Sequence, residues 1–216
     1  MINIVYEDNH LLVVEKPVNI IVQKDNTNDK DLLSMLKEYL KEKYNKPGNV
    51  YLGLIHRLDR PVGGIMVFAK TSKAAGRLSE QVRNKTFKKT YNAVVIGNIN
   101  ESGKLHDYLL KDEKRNIVKE DKNLTEAILY YKKLNYKNNM SLVEINLEPG
   151  RSHQIRVQMS NYGYPLFGDQ KYNKTAKVGE QIALFAKKIE FIHPVTKENM
   201  SFELELPNRY PFNIFK

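Results

Sequence analysis

The residues best suited to chemistry lie in His56-Arg57-Leu58-Asp59-Arg60-Pro61-Val62-Gly63-Gly64. One carboxylate, Asp59, stands between Arg57 and Arg60, in a turn between the apolar runs 52–55 and 65–69. Nearby cations favour the charged form of a carboxylate, and arginine grips phosphate through a planar, bidentate fork. A nucleophile-grade carboxylate in a phosphate-gripping loop suits chemistry on a nucleic acid. Aspartate beside a proline turn can instead cap backbone N–H groups. The surrounding His56, Arg57, Arg60 and paired glycines weigh against that plainer role, because glycine admits close approach of a ligand or a positive φ.

Three further segments add to it. In Lys89-Thr90-Tyr91, Tyr91 opens an apolar strand directly after the basic run Lys85, Lys88, Lys89. Its ring could stack on a base and its hydroxyl could exchange hydrogen bonds or protons. In Gly150-Arg151-Ser152-His153-Gln154-Ile155-Arg156, two arginines, a histidine and a glutamine sit at an expected helix start, where backbone N–H groups suit phosphate. If Ile155 packs inward, one of Arg151 and Arg156 is drawn into a pocket and needs an anion; Asp59 is the natural candidate. Tyr164-Pro165-Leu166-Phe167-Gly168-Asp169 with Tyr172 reads either as a loop over the end of that helix or as an ordinary aromatic-rich turn.

These groups need elements to hold them. Ile2 to Tyr6 and Leu11 to Val14 read as strand, turn, strand, broken by Lys16-Pro17, and Ile20-Ile21-Val22 is a third strand-like piece. Leu32, Leu33, Met35, Leu36, Tyr39 and Leu40 recur at helical spacing and predict an amphipathic helix over 31–44. Thr71-Ser72 offers an N-cap for a helix carrying Ala75, Leu78 and Val82 on one face, and Ser152 offers one for a helix carrying Ile155, Met159 and Tyr162. Tyr91 to Gly97 reads as a strand. Residues 98–123 are polar and read as an exposed hairpin with little core, while 125–133 and 141–148 read as paired strands. Apolar pieces at 182–186, 189–192 and 202–206 close the chain. Strands outnumber helices and follow one another directly. This implies one α+β domain over 1–216, a mostly antiparallel mixed sheet with flanking helices.

Composition sets the outer bounds. The 216 residues carry a net charge of +10 and are 41% hydrophobic, which describes a globular protein and favours a polyanionic partner over a merely soluble basic surface. Cysteine is absent and the five histidines never fall at zinc-like spacing, so neither thiolate chemistry nor a metal centre is expected. There is no Walker loop, dinucleotide fingerprint or nucleophile elbow. Without a signal-like start or a membrane-length apolar run, a soluble cytoplasmic protein is expected.

Taken in order, the segments resemble the RluA-type family of RNA pseudouridine synthases. Tyr6-Glu7-Asp8, Leu11 to Val14 and Lys16-Pro17 are similar to the family's opening strands, and His56-Arg57-Leu58-Asp59 to its nucleophile motif. Lys89-Thr90-Tyr91 resembles its tyrosine strand, and Arg151 to Arg156 its arginine helix, with Gly168-Asp169 and Tyr172 following. Ala183-Leu184-Phe185-Ala186, Phe191 and His193-Pro194 resemble the closing segment. The resemblance implies a single catalytic domain, without the family's frequent N-terminal RNA-binding domain, that isomerises uridine in ribosomal or transfer RNA. It would need no cofactor and act as a monomer. Asp59 would be the nucleophile, Arg156 its ion-pair partner, Tyr91 a stacking partner for the base, Arg57 the filler of the emptied stack and Leu184 an apolar wall. Arg60, Lys89, Arg151, His153 and Gln154 would contact RNA. Two positions depart from the family's habit: Pro61-Val62-Gly63-Gly64 replaces a Thr-Ser-Gly-type continuation, and Val18-Asn19 replaces Ala-Gly. A catalytically silent RNA-binding or ribosome-assembly protein on the same fold is the alternative; it would bind RNA equally well without Asp59.

Overall fold

Alternating apolar residues at the start of the chain become β1 (Asn3–Glu7) and β2 (Leu11–Lys16), paired antiparallel. The computed structural model describes residues 2–27, 29–112, 117–120 and 125–216. The Asp8 carboxylate closes the turn between these strands, accepting the N–H groups of His10 at 2.7 Å and Leu11 at 2.6 Å. The expected third strand is reduced to one bridge between Ile21 and Asp31. Asp31 then caps α1 (Leu32–Lys43), accepting Ser34 N–H at 3.0 Å, and the helix buries Leu32, Leu36 and Leu40.

β3 (Gly53–Leu54) and β4 (Gly63–Ala69) pair antiparallel on either side of the Asp59 loop. Every residue of β4 is buried. α2 (Ser72–Arg83) follows, capped by the Thr71 hydroxyl as its residue type suggests. The remaining elements are β5 (Lys88–Ile96), β6 (Ser102–Asp112), β7 (Ile117–Glu120), β8 (Thr125–Lys137), β9 (Met140–Glu148), α3 (Gln154–Asn161), β10 (Leu184–Ile192) and β11 (Asn199–Glu203), before a short 3-10 turn over Phe212–Phe215. The fold is α+β, and every strand pairing between these elements whose register is described is antiparallel.

The chain packs as two compact units, residues 1–88 with 188–204 and residues 89–187 with 205–216. In the first, β2 lies between β1 and β4. Leu11, Val13, Ile65 and Val67 meet Ala74 and Leu78 of α2, and Phe87 stacks on Phe191 with ring centroids 5.3 Å apart. Each large apolar side chain so buried contributes roughly 1.5–3 kcal/mol. In the second unit the strand order is β5-β9-β8-β6-β7.

Two expectations need correction. The hairpin in 98–123 exists as β6 and β7, but it carries core: Leu109 and Val118 are buried with Ala127 and Val157. Its many charged residues mask the sparse apolar ones, Leu105 among them, that turn inward. Residues 113–116 and 121–123 of that stretch lie outside the described residues. Ser152 also does not cap α3; His153 occupies that position at φ 53 with no side-chain cap bond. Instead the Gln154 side chain accepts Arg151 N–H at 2.8 Å and closes the turn ahead of the helix. The helix is buried on all sides over Gln154 to Met159, while Tyr162 lies beyond its end and is exposed.

Candidate active site

In the first unit, Asp59 sits on a loop whose backbone is fixed from both ends. Val62 N–H donates to Asp59 O at 3.0 Å. Leu58 and Val62 are buried and anchor the loop, leaving Asp59 half-buried and Arg57 and Arg60 exposed. Val62, a departure from the family's habit, is thus a packing residue.

The second clamp is Lys16, at the end of β2 and 1% exposed. Its Nζ donates to Pro17 O at 3.0 Å, Arg60 O at 3.1 Å and Val62 O at 2.7 Å, so an ammonium's three donors all meet carbonyls. Burial pulls its pKa down to about 8, against the raising charge of Asp59 and with the lowering charge of Arg60. The glycines serve the same packing: a Cβ on Gly63 would lie 3.1 Å from Val18 Cγ1 and 3.2 Å from Lys16 O, and Gly64 adopts φ 128. His56 is buried, accepts Val67 N–H at 3.4 Å and faces Phe87. Arg60 pairs with Asp29 at 2.5 Å, both partners well exposed.

In the second unit, the buried arginine foreseen in Arg151 to Arg156 is Arg156; Arg151 is exposed. Its Nε and Nη2 bind both oxygens of Asp169 at 2.8 and 2.7 Å, a bidentate pair in which both residues are buried. Asp169 sits in a turn begun by Gly168, which at φ 68 approaches Gln181 so closely that a Cβ would lie 2.6 Å from its carbonyl oxygen. The Arg156 guanidinium lies over the Tyr172 ring, 5.2 Å from its centroid. Tyr91 is buried on β5 opposite Ile145, and Leu184 is buried at the start of β10. Gln154 is buried and bonds backbone with both ends of its amide, accepting Arg151 N–H and donating to Ile128 O at 3.0 Å. Lys89 lies against the loop after β9: a Cβ on Gly150 would stand 3.2 Å from its Nζ, and burial lowers its pKa.

A family model described as RNA pseudouridylate synthase matches residues 10–161. The chain belongs to that family. This RluA-type synthase is 33% identical over 221 residues to the ribosomal large subunit pseudouridine synthase D of Zymomonas mobilis, covering 95% of this chain and 69% of the relative. It is also 33% identical to an uncharacterised RNA pseudouridine synthase of Bacillus subtilis, with the same coverage. The fold is that of human RNA pseudouridylate synthase domain containing 4, with TM-score 0.80 and 22% identity over 95% of this chain and 88% of that one. It is an isomerase acting on RNA.

The structure of the synthase brings Arg156 and His153 together around Tyr172 and sets Lys89 beside Gly150. Sequence reasoning missed Lys16 and Asp169 as partners. Lys16 left one signal, a lysine at the end of a run of buried β residues, where an ammonium needs acceptors. Asp169 left a weaker one, a carboxylate directly after glycine downstream of the arginine helix.

Proposed function

We propose that this synthase isomerises uridine to pseudouridine in ribosomal RNA or transfer RNA, with Asp59 as nucleophile and the target base flipped from its stack. The observation that supports it most is the Lys16 clamp. A buried ammonium holding three loop carbonyls fixes the backbone that carries Asp59, and nucleophilic catalysis rewards a carboxylate held in one place. The names of the large-subunit enzymes among its relatives favour ribosomal RNA as the first substrate to try.

The reaction breaks the N1–C1′ bond, turns the uracil and forms a C5–C1′ bond; the hydrogen leaves C5 for solvent and N1 ends protonated. Atoms and electrons balance without an oxidant or a hydrolytic water. Attack by Asp59 at C1′ or at C6 is consistent with that balance. Extruding the base costs a few kcal/mol, offset by a side chain in the gap and stacking in the pocket. Arg57, exposed beside Asp59, takes the gap. Tyr91 and Leu184 receive the base, and Arg156 is the cation that the carboxylate chemistry uses. Arg60, Lys89, Arg151 and His153 contact the RNA, Arg60 by exchanging its exposed Asp29 partner for phosphate.

The test is tritium release from [5-³H]uridine RNA. Wild type releases tritium and Asp59→Asn releases none while still binding RNA. Turnover by Asp59→Asn at the wild-type rate overturns the assignment.

A further inference from the structure

Tyr172 links several elements of the second unit and has no task in the proposed reaction. Its hydroxyl lies 2.7 Å from His153 Nδ1 and accepts Val118 N–H at 2.9 Å. Its ring lies under the Arg156 guanidinium, and its carbonyl accepts the Ser160 hydroxyl at 2.6 Å. One residue therefore joins β7, the left-handed entry to α3 and the buried arginine.

The hydroxyl's partner on β7 matters most. Among the described strands β7 is the last in the order of its unit, and its outer edge meets no further described strand. Tyr172 supplies an acceptor and also packs on the cluster of Leu109, Val118, Ala127 and Val157 that seats the hairpin. On β6, Lys104, His106 and Tyr108 are exposed and alternate with buried Leu105 and Leu109. The His106 imidazole lies 3.1 Å from Glu126 and Lys104 lies over Tyr130, so the outward row offers a cation and aromatic rings, beside one carboxylate, to the backbone and bases of an RNA strand.

Both grips on Arg156 come from one short turn. Tyr172 N–H and Asn173 N–H both return to Asp169 O, so Asp169 and Tyr172 move together. A shift of β7 reaches Tyr172 through the Val118 bond, and through that turn it reaches the guanidinium. We propose that Tyr172 is a positioning residue through which RNA seated on the β6–β7 hairpin sets the orientation of Arg156. The inference rests on the proposed RNA isomerisation and adds a route by which substrate contact away from the reacting uridine organises the site.

Tyr172→Phe keeps the ring and deletes the hydroxyl, so it separates this route from simple packing. On structured RNA it lowers kcat about ten-fold while leaving RNA affinity within about two-fold. Combining Lys104→Ala with Tyr108→Ala on the outward row also lowers kcat, and adding Tyr172→Phe to that pair costs less than about two-fold more. Independent multiplication of the effects, a wild-type kcat for Tyr172→Phe, or no effect of the outward pair each overturns the inference. A measurement on the unmodified protein stands apart from variant folding: hydrogen exchange at Val118 N–H slows when RNA is added, and an unchanged rate also overturns it. Absence of tritium release from wild type refutes the proposed reaction, an outcome distinct from all of these.

Discussion

Lys16 spends all three of its donors on backbone and gains no carboxylate contact from them, so its role is to hold the loop in place. Lys16→Met leaves those carbonyls without their donor and frees the loop. A displacement of about 1 Å can cost about 100-fold in rate, so kcat falls by that order in single-turnover assays while RNA binding persists. Above pH of about 8 the neutral amine has two N–H donors for three carbonyls, so wild-type activity declines on that alkaline limb. Stability moves the other way. Between about 8 and 10.5 the unfolded lysine holds a proton that the folded one has shed, so raising pH favours folding by this group. Denaturant titrations of wild type against Lys16→Met across that window check the sign. Asp169→Asn leaves Arg156 buried with half a partner and costs roughly 3–5 kcal/mol in urea unfolding. That one arginine of Arg151 to Arg156 is drawn into a pocket was legible, because Ile155 packing inward carries a neighbour with it. Lys16 and Asp169 were not, since their partners are distant in sequence: Lys16 bonds across 46 residues to Val62.

Elements were legible where local chemistry decides them. Asp31 and Thr71 cap α1 and α2 as their types suggest, and Asp31→Ala should cost about 1 kcal/mol by thermal denaturation. α3 shows where this fails. Its polar residues Gln154, Arg156 and Gln158 are buried because Ile128 O, Asp169 and Asp107 meet them, and no spacing rule within the helix records those partners. Hence an apolar stripe of Ile155 and Met159 described only one of its buried faces. Gly150 belongs to the same scale. Gly150→Ala places a Cβ 3.2 Å from Lys89 Nζ, so the ammonium must give way by a few tenths of an ångström. RNA affinity in filter binding should weaken about three-fold with little change in melting temperature, the size expected for disturbing one phosphate contact.

The whole molecule carries a net charge of +10, and RNA affinity should fall steeply with salt. If Arg57, Arg60, Lys89 and Arg151 each meet a phosphate, the logarithmic slope is about −3 on a single-stranded site; a slope near zero contradicts all four. Acid acts through Glu7, which accepts Tyr39, Lys43, Tyr44 and Lys70 together. Burial raises its pKa, but those four hydrogen bonds prevail and bring it to about 2. Its stabilisation is therefore complete above 4.5 and is lost as pH falls toward 2, a loss that Glu7→Gln should abolish in acid titrations. The route of the chain through its two units has a further consequence, for synthesis. The first unit is interrupted after residue 88 and resumes at 188, yet Ile189 and Phe191 belong to its core and Phe191 stacks on Phe87. A nascent chain must wait while about 100 further residues are made, roughly 5–20 s at ordinary elongation rates. Throughout that interval Phe87 lacks the Phe191 ring, and the ribosome carries a chain whose first core is unfinished.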